Sequence, residues 1–410
     1  MHSFTFQAPK TLVWLATLGT LSFSIGTFSQ LRPTVALTIP EELTQITTEF
    51  NALLDQEISA LNGTLSGSNI SLMDANTLFA DVLLKELTET NQSCVQGPLL
   101  AHAIAPTSIC SDPENFLYYD EIHITTTVHS RIADIAIATL SPEVLSETTK
   151  LIVFGDSFSD VGNISGFSNG TFPFPVAIQG PLAGEPLYAS GAFTNGLVWW
   201  QYLANQMFLE EPVPFYENVS TGTFLTSIPD EGINFAVGGA TSGIDNLGNV
   251  QTPPFPIDLP GLQDQIEAFD LVVGEGGEAD PDALYIVWAG ANNFFGAFIP
   301  QDPTNPFAPF PDLTKDPTLP VSDISAAIKS LYALGARNFL VGNRFDLGQT
   351  PLAQELQVVN TPVPTSVAEP NQLAGIIIGL GFILITRGKS SKRVMKVNNK
   401  YLTDALGMRV

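Results

Sequence analysis

Residues 151–154, Leu-Ile-Val-Phe, run without a polar side chain straight into a Gly155-Asp156-Ser157 turn. An apolar run of that length, β-branched at its centre, reads as a short strand buried on both faces. Strands of that kind belong to parallel sheets covered by helices, which collect ligands at the carboxyl edge, often over a helix N-terminus. Ser157 stands at that edge. An ordinary strand-to-helix turn with a serine N-cap has the same short signature, so the serine alone does not assign chemistry. Further strands are expected at 233–237, 284–289 and 338–343, and one more upstream at 70–74.

The 410 residues hold 44% hydrophobic side chains, enough for a packed core and against global disorder. Acids outnumber bases 41 to 16, a formal charge of −25, which argues against nucleic acid and against electrostatic docking on anionic lipid. The bases also crowd one end, at Arg387, Lys389, Lys392, Arg393, Lys396, Lys400 and Arg409. Cys94 and Cys110 bracket a loop with Gly97, Pro98 and Pro106. They are either a disulfide clamp, which needs an oxidising compartment, or two free buried thiols, and they make no zinc site.

At the amino end, Lys10 precedes a diluted apolar run from Leu12 to Phe28. This suits a secretory signal peptide over residues 1–29, with an uncleaved membrane anchor as the alternative. A helix is expected from Glu41, with Leu43, Ile46, Phe50, Leu54, Ile58 and Leu61 at helical spacing and Asn62-Gly63 as its stop. A second is expected from Thr77 to Glu89, and another around Ile132 to Leu140. Between them stands Asp120-Glu121-Ile122-His123, then a Thr-rich stretch and a second histidine, His129. An Asp three residues before a His can hold one imidazole nitrogen and leave the other as acceptor toward a serine hydroxyl. The same spacing also occurs as a surface capping Asp with a polar His nearby.

After Ser157, Phe193-Thr194-Asn195-Gly196 opens a helix through Met207, and Ile233–Val237 runs into Gly238-Gly239-Ala240. Gly pairs of that kind also mark bulges and close packing. Leu284–Ala289 ends in Gly290-Ala291-Asn292-Asn293, and a helix from Ile324 to Leu334 precedes the last strand and Asp346-Leu347-Gly348-Gln349-Thr350-Pro351.

The Gly155-Asp156-Ser157 block, the Gly238-Gly239 turn, the Gly-x-Asn segment and Asp120-x-x-His123 together resemble the motif blocks of the GDSL (SGNH) esterases and lipases. The resemblance implies Ser157 as nucleophile, His123 as base and Asp120 as its orienting carboxylate. The Ser157 and Gly239 amides and the Asn292 side chain would be oxyanion donors, with no metal or cofactor. It implies a doubly wound, flavodoxin-like α/β/α sandwich on a mainly parallel five-stranded sheet. Three positions depart from the family pattern: Ala192 in place of Arg, Asn293 in place of Asp and Phe345 in place of Pro.

The order of the blocks also departs. Residues 41–140 resemble the family's carboxyl-terminal third, and residues 151 onward its beginning. Either one domain over 41–352 is circularly permuted, joined through 141–150, or two broken fragments lie in tandem. The joining segment reaches at most ~33–36 Å, ample for a helix-to-strand connection. Permutation is preferred because the strands sum to one sheet with nothing duplicated, whereas half a sheet cannot bury its faces.

Past the domain, a linker over 353–371 leads to an apolar run, Leu373 to Thr386, short of the ~20 residues a membrane span needs. Val367-Ala368-Glu369-Pro370, this run and its basic flank resemble a PEP-CTERM sorting signal over 372–393, with 394–410 as a tail. The expected protein is a secreted or surface-held serine ester hydrolase, anchored at least transiently. Its partners would be an ester substrate (lipid, acetylated glycan or small ester), a sorting machinery and the membrane. A catalytically impaired surface binding protein of the same fold is the alternative.

Overall fold

The structure, a computed structural model, describes residues 37–360 apart from 78, 80–86, 101, 103–105, 168–186, 190, 220–221, 223–224, 252–257 and 300–309. The expected signal segment, most of the helix expected over 77–89, and the apolar and basic segments beyond 360 lie outside the described residues. Among the described residues no helix is long and apolar enough to cross a membrane.

Six strands form the main sheet. They are β1 (Asn69–Met73), β2 (Leu151–Gly155), β3 (Val213–Pro214), β4 (Gly232–Asn234), β5 (Leu284–Trp288) and β6 (Asn338–Gly342). Their order is β1-β6-β5-β2-β4-β3 and every pairing is parallel. The expected five strands are all present, and the sheet has one more than expected. The two-residue β3 carries too little apolar pattern to read as a strand and ends in Pro214, which suits only an edge.

The helices lie on both faces, and the register says which. Phe154 pairs with Val287 and Gly155 with Trp288, so Phe154 and Trp288 point to opposite sides. Phe154 meets Phe269 of α4 (Leu262–Val273), while Trp288 meets Trp199 of α3 (Trp199–Gln206). On the Phe269 side, α4 packs beside α6 (Thr318–Leu334), and α6 beside α1 (Ile39–Thr64). On the Trp199 side, α3 packs against α2 (Thr126–Thr139). This is the expected doubly wound α/β/α layering.

Helix α1 starts earlier than expected because Thr38 caps it. The Thr38 hydroxyl accepts from the Glu41 amide while the Glu41 carboxylate accepts from Thr38 N–H. Leu43, Ile46, Phe50, Leu54, Ile58 and Leu61 form its buried stripe, and the helix runs through Gly63 to Thr64. The segment expected as a helix to Glu89 instead begins a strand there, Glu89–Ser93, paired in parallel with Phe116–Tyr118. Residues 141–150 include a helical turn, Pro142–Glu147, capped by Ser141, before Lys150 enters β2. The linker expected from 353 is still helical, as α7 spans Pro351–Asn360.

One hydrophobic core takes in residues from Leu43 to Leu356. Strand β1 pairs with β6 over its whole length, Asn69 opposite Asn338 to Met73 opposite Gly342. Asn51 of α1 clamps the backbone of Arg344, donating to its carbonyl at 2.6 Å and accepting from its amide at 2.9 Å. Residues from 39–140 and from 151–360 therefore share the main sheet and its core.

Candidate active site

Ser157 lies two residues beyond β2, at the carboxyl edge that the apolar strand predicts. Gly155 makes that edge possible. A side chain there would sit 2.4 Å from the Trp288 carbonyl, and its φ of +153° is costly for other residues. The Gln265 amide of α4 brackets this glycine, accepting from its N–H at 2.9 Å and donating to its carbonyl at 2.8 Å. In the turn itself, Asp156 accepts from the Phe158 amide at 3.1 Å. Its other oxygen meets Arg344 Nη2 at 3.2 Å, both side chains fully buried. Burial raises the Asp156 carboxyl, and the Arg344 charge opposes that rise.

The upstream segment brings the rest. After Phe116–Tyr118 the chain turns through Asp120–His123 and bridges back at Ile124, opposite Tyr118. Asp120 Oδ1 accepts from the Ile122 and His123 amides at 2.8 and 2.7 Å, so the short spacing is a side-chain-closed turn rather than helix. Asp120 Oδ2 lies 2.7 Å from His123 Nδ1 and also accepts from the Tyr188 hydroxyl. His123 Nε2 lies 2.8 Å from Ser157 Oγ. With Nδ1–H held by the carboxylate, Nε2 is the acceptor and the serine hydroxyl donates.

Burial disfavours the Asp120 charge, but His123 and then Tyr188 outweigh it and hold the carboxyl below its usual range. Burial likewise disfavours the His123 cation, and the Asp120 carboxylate outweighs it, so the imidazole is more basic than usual. A base of raised strength, fixed in one tautomer and bonded to a serine hydroxyl, can take that proton as the oxygen attacks. Phe193 stacks on the imidazole at 4.8 Å, completing its support.

Gly239 and Asn292 lie at the same edge, beyond the strands that flank β2. Gly239 has φ +83°, and a side chain there would meet Asn246 Oδ1 at 2.5 Å, so the turn requires glycine. Asp160 ties this turn to the serine turn, since its carboxylate accepts from Gly238 N–H at 2.8 Å as well as from Asn163 and Ile164. Asn292 sits in the first turn of α5 (Ala291–Phe298) and donates to the Ala240 carbonyl at 2.9 Å. The Ser157 and Gly239 amides have no acceptor among the described residues.

The three departures from the family pattern do not touch the reacting atoms. Asn293 accepts from Ser242 N–H and donates to Ser242 Oγ and the Asp312 carbonyl; a carboxylate in its place could not make the last two as donor. Phe345 stacks on Phe79 at 4.2 Å, and Ala192 bridges to Val161. Cys94 and Cys110 are joined as a disulfide with Cα atoms 4.9 Å apart, which decides between the two alternatives.

Several residues of this region carried no local signal. Gln265 and Arg344 act on the serine turn from 110 and 188 residues away. His129, the histidine that follows the Thr-rich stretch, accepts from the Trp199 amide through Nδ1 at 3.2 Å. Burial, with His123 beside it, lowers it to about 3, so it stays neutral and structural.

The sequence model of the GDSL-like Lipase/Acylhydrolase family matches residues 151–379, more than half of the chain. The chain belongs to the GDSL-like lipase/acylhydrolase family. Among similar curated proteins, the Arabidopsis thaliana GDSL esterase/lipase At5g03610 is 30% identical over 206 residues, 50% of this chain and 51% of its own. GDSL esterase/lipase At1g74460 of the same plant is 30% identical over 215 residues, 50% of this chain and 56% of its own. The chain thus spans about half the length of the curated relatives it matches. The family match begins at β2 and leaves Asp120 and His123 outside it, upstream.

Proposed function

We propose that this chain is a serine ester hydrolase in which Ser157 is the nucleophile, His123 the general base and acid, and Asp120 the orienting carboxylate. One observation carries the reading: His123 Nε2 lies 2.8 Å from Ser157 Oγ while its Nδ1 lies 2.7 Å from Asp120. Ser157 Oγ bonds to the ester carbonyl carbon as its proton passes to His123. The carbonyl oxygen takes the negative charge, met by the Ser157 and Gly239 amides and the Asn292 side chain. On collapse the carbon–oxygen ester bond breaks and His123 returns the proton to the leaving alkoxide. A water activated by the same imidazole then releases the acyl group as a carboxylic acid.

Ser157→Ala is expected to abolish hydrolysis of short-chain nitrophenyl esters and covalent labelling by a fluorophosphonate, with the far-ultraviolet circular dichroism unchanged. Undiminished hydrolysis in that variant defeats the assignment. A folded wild type that resists the fluorophosphonate favours a non-catalytic binding protein of the same fold. Lipid, acetylated glycan and small esters are all admissible substrates.

We further infer that the family's block order is circularly permuted here. Gly348 lies against the Pro40 carbonyl, and Thr44 Oγ1 donates to Asp346 at 2.7 Å, so the end of one segment adjoins the start of the other. A chain reordered as 151–360 followed by 38–140 is expected to fold and hydrolyse the same ester; insoluble, inactive product counts against the inference. Secretion through residues 1–29 and sorting to the surface through 372–393 are proposed from sequence. Retention of the protein in the soluble cytosolic fraction of its native cell would contradict both.

A further inference from the structure

A second cluster of ionisable groups lies immediately behind the Asp120–His123 turn and takes no part in the chemistry just described. His102 is 1% exposed. Its Nδ1 stands 3.3 Å from Glu121 Oε2 and its Nε2 3.2 Å from Glu355 Oε1. Glu121 is the residue next to Asp120 and is itself buried. Glu355 lies on α7, about a third exposed. The same helix also holds the turn by its backbone, since the Leu352 amide donates to the Glu121 carbonyl at 2.9 Å.

These are charge contacts rather than aligned hydrogen bonds. Neither His102 Nε2 nor Glu121 Oε2 has a hydrogen-bond partner among the described residues. Two buried polar atoms left without directed partners are costly unless opposite charges face each other. A carboxylate, an imidazolium and a second carboxylate in a row meet that condition.

We propose that His102, Glu121 and Glu355 form a buried charge relay that positions the Asp120–His123 pair and couples it to α7. The proposal rests on the hydrolase reading for its kinetic consequence only. The Ser93 hydroxyl lies 3.3 Å from His102 Nδ1, and the titratable groups that face the relay are Asp120 and His123 on the turn and Tyr188 beside it. Asp156, paired with Arg344, also acts on His123. Burial presses the His102 cation down, but Glu355, Glu121 and Asp120 outweigh it and leave His102 more basic than usual. Burial and then the Asp120 charge push Glu121 up to about 7, with His102 drawing it the other way. When Glu121 is ionised it adds a second negative charge beside His123, after that of Asp120, and favours the imidazolium. Glu121 and His102 are therefore positioning residues: they touch no substrate, and their charge reaches the reaction through His123.

The chain contains four histidines, so their imidazole Cε1–H resonances can be followed by NMR in the full-length protein. The wild type and Glu121→Gln are titrated, with His123→Gln to assign the line. The His123 midpoint is expected to move to lower pH in Glu121→Gln, and the acid limb of kcat/KM for a nitrophenyl ester to move with it. A role confined to packing would lower the plateau and leave both midpoints in place, and that result overturns the proposal. If Glu121→Gln does not fold, Glu355→Gln carries the test from the partly exposed end. The His102 midpoint must then fall, and an unmoved His102 resonance overturns the proposal. The NMR titration stands whether or not the ester is hydrolysed, so failure of the relay and failure of the hydrolase reading give different results.

Discussion

Tyr188 donates its hydroxyl to Asp120 Oδ2, the same carboxylate oxygen that His123 contacts through Nδ1. A charge-assisted bond of this kind contributes about 1.5–3 kcal/mol to the ionised acceptor. In Tyr188→Phe the ring keeps its edge contact with Tyr119, at 5.5 Å, and only the donor is lost. The carboxylate then depends on His123 and two turn amides, and burial works against its charge. Turnover of the ester is expected to fall about tenfold by the lower end of that range, with KM within about twofold. An unchanged kcat would mean that Tyr188 supports the turn through its ring alone. Asn293 illustrates the opposite case, a departure that the structure absorbs. Its amide donates to the Asp312 carbonyl, within a group of acids that includes Asp245 and Asp323, where a further carboxylate would be repelled.

The disulfide hairpin is the element on which the Asp120 turn leans. Val95–Gln96 pairs antiparallel with Ser108–Ile109. The Cys94 and Val95 amides donate to the Tyr118 and Tyr119 carbonyls, at 3.0 and 2.7 Å, just ahead of Asp120. Cys94 and Val95 also pack with Leu187 and Tyr188. With the cysteines 16 positions apart, the cross-link contributes about 3 kcal/mol in the loop-entropy account. Replacing both by Ser is expected to lower the unfolding free energy measured in urea by that amount and to reduce turnover. Equal stability with and without reductant in the wild type would refute the contribution. This hairpin also shows where sequence reading stops. Asp120-x-x-His123, the serine turn and the buried strands are legible because each is set by neighbours within a few residues. The cysteine pair shows only that a bond is possible, and the two-residue ladders beside it are too short for a periodic pattern. The sixth strand, Val213–Pro214, is hidden for the same reason. Gln265, Arg344 and His102 act on partners far away in sequence, so no spacing could announce them.

Over the whole molecule, the −25 charge and the buried ionisable groups set how stability changes with pH. His102 and His123 have raised folded values, so their stabilisation is complete below the ordinary 6.5 and is lost as pH rises through those values. Glu121 and Asp264 are pushed up by burial to about 7, from 4.5 and 3.8 respectively. The folded state therefore holds more protons than the unfolded chain up to that pH, and deprotonation weakens it. His129 opposes this only in acid. Its value is lowered to about 3, so its contribution is complete above 6.5 and is lost as pH falls toward 3. Asp120, lowered from 3.8, loses its contribution in the same direction. Above about pH 6.5 every one of these contributions is either silent or declining, and self-repulsion among the acids grows with them. The thermal midpoint is thus expected to be highest at mildly acidic pH and to fall between about pH 6.5 and 8. Each ~1 kcal/mol lost corresponds to about 1–2 °C in a domain longer than about 250 residues. Calorimetry at fixed ionic strength measures it directly. A midpoint that rises across that interval would mean that His102 and His123 do not keep their raised values in the folded protein, and the coupling of α7 to the catalytic turn would lose its electrostatic basis.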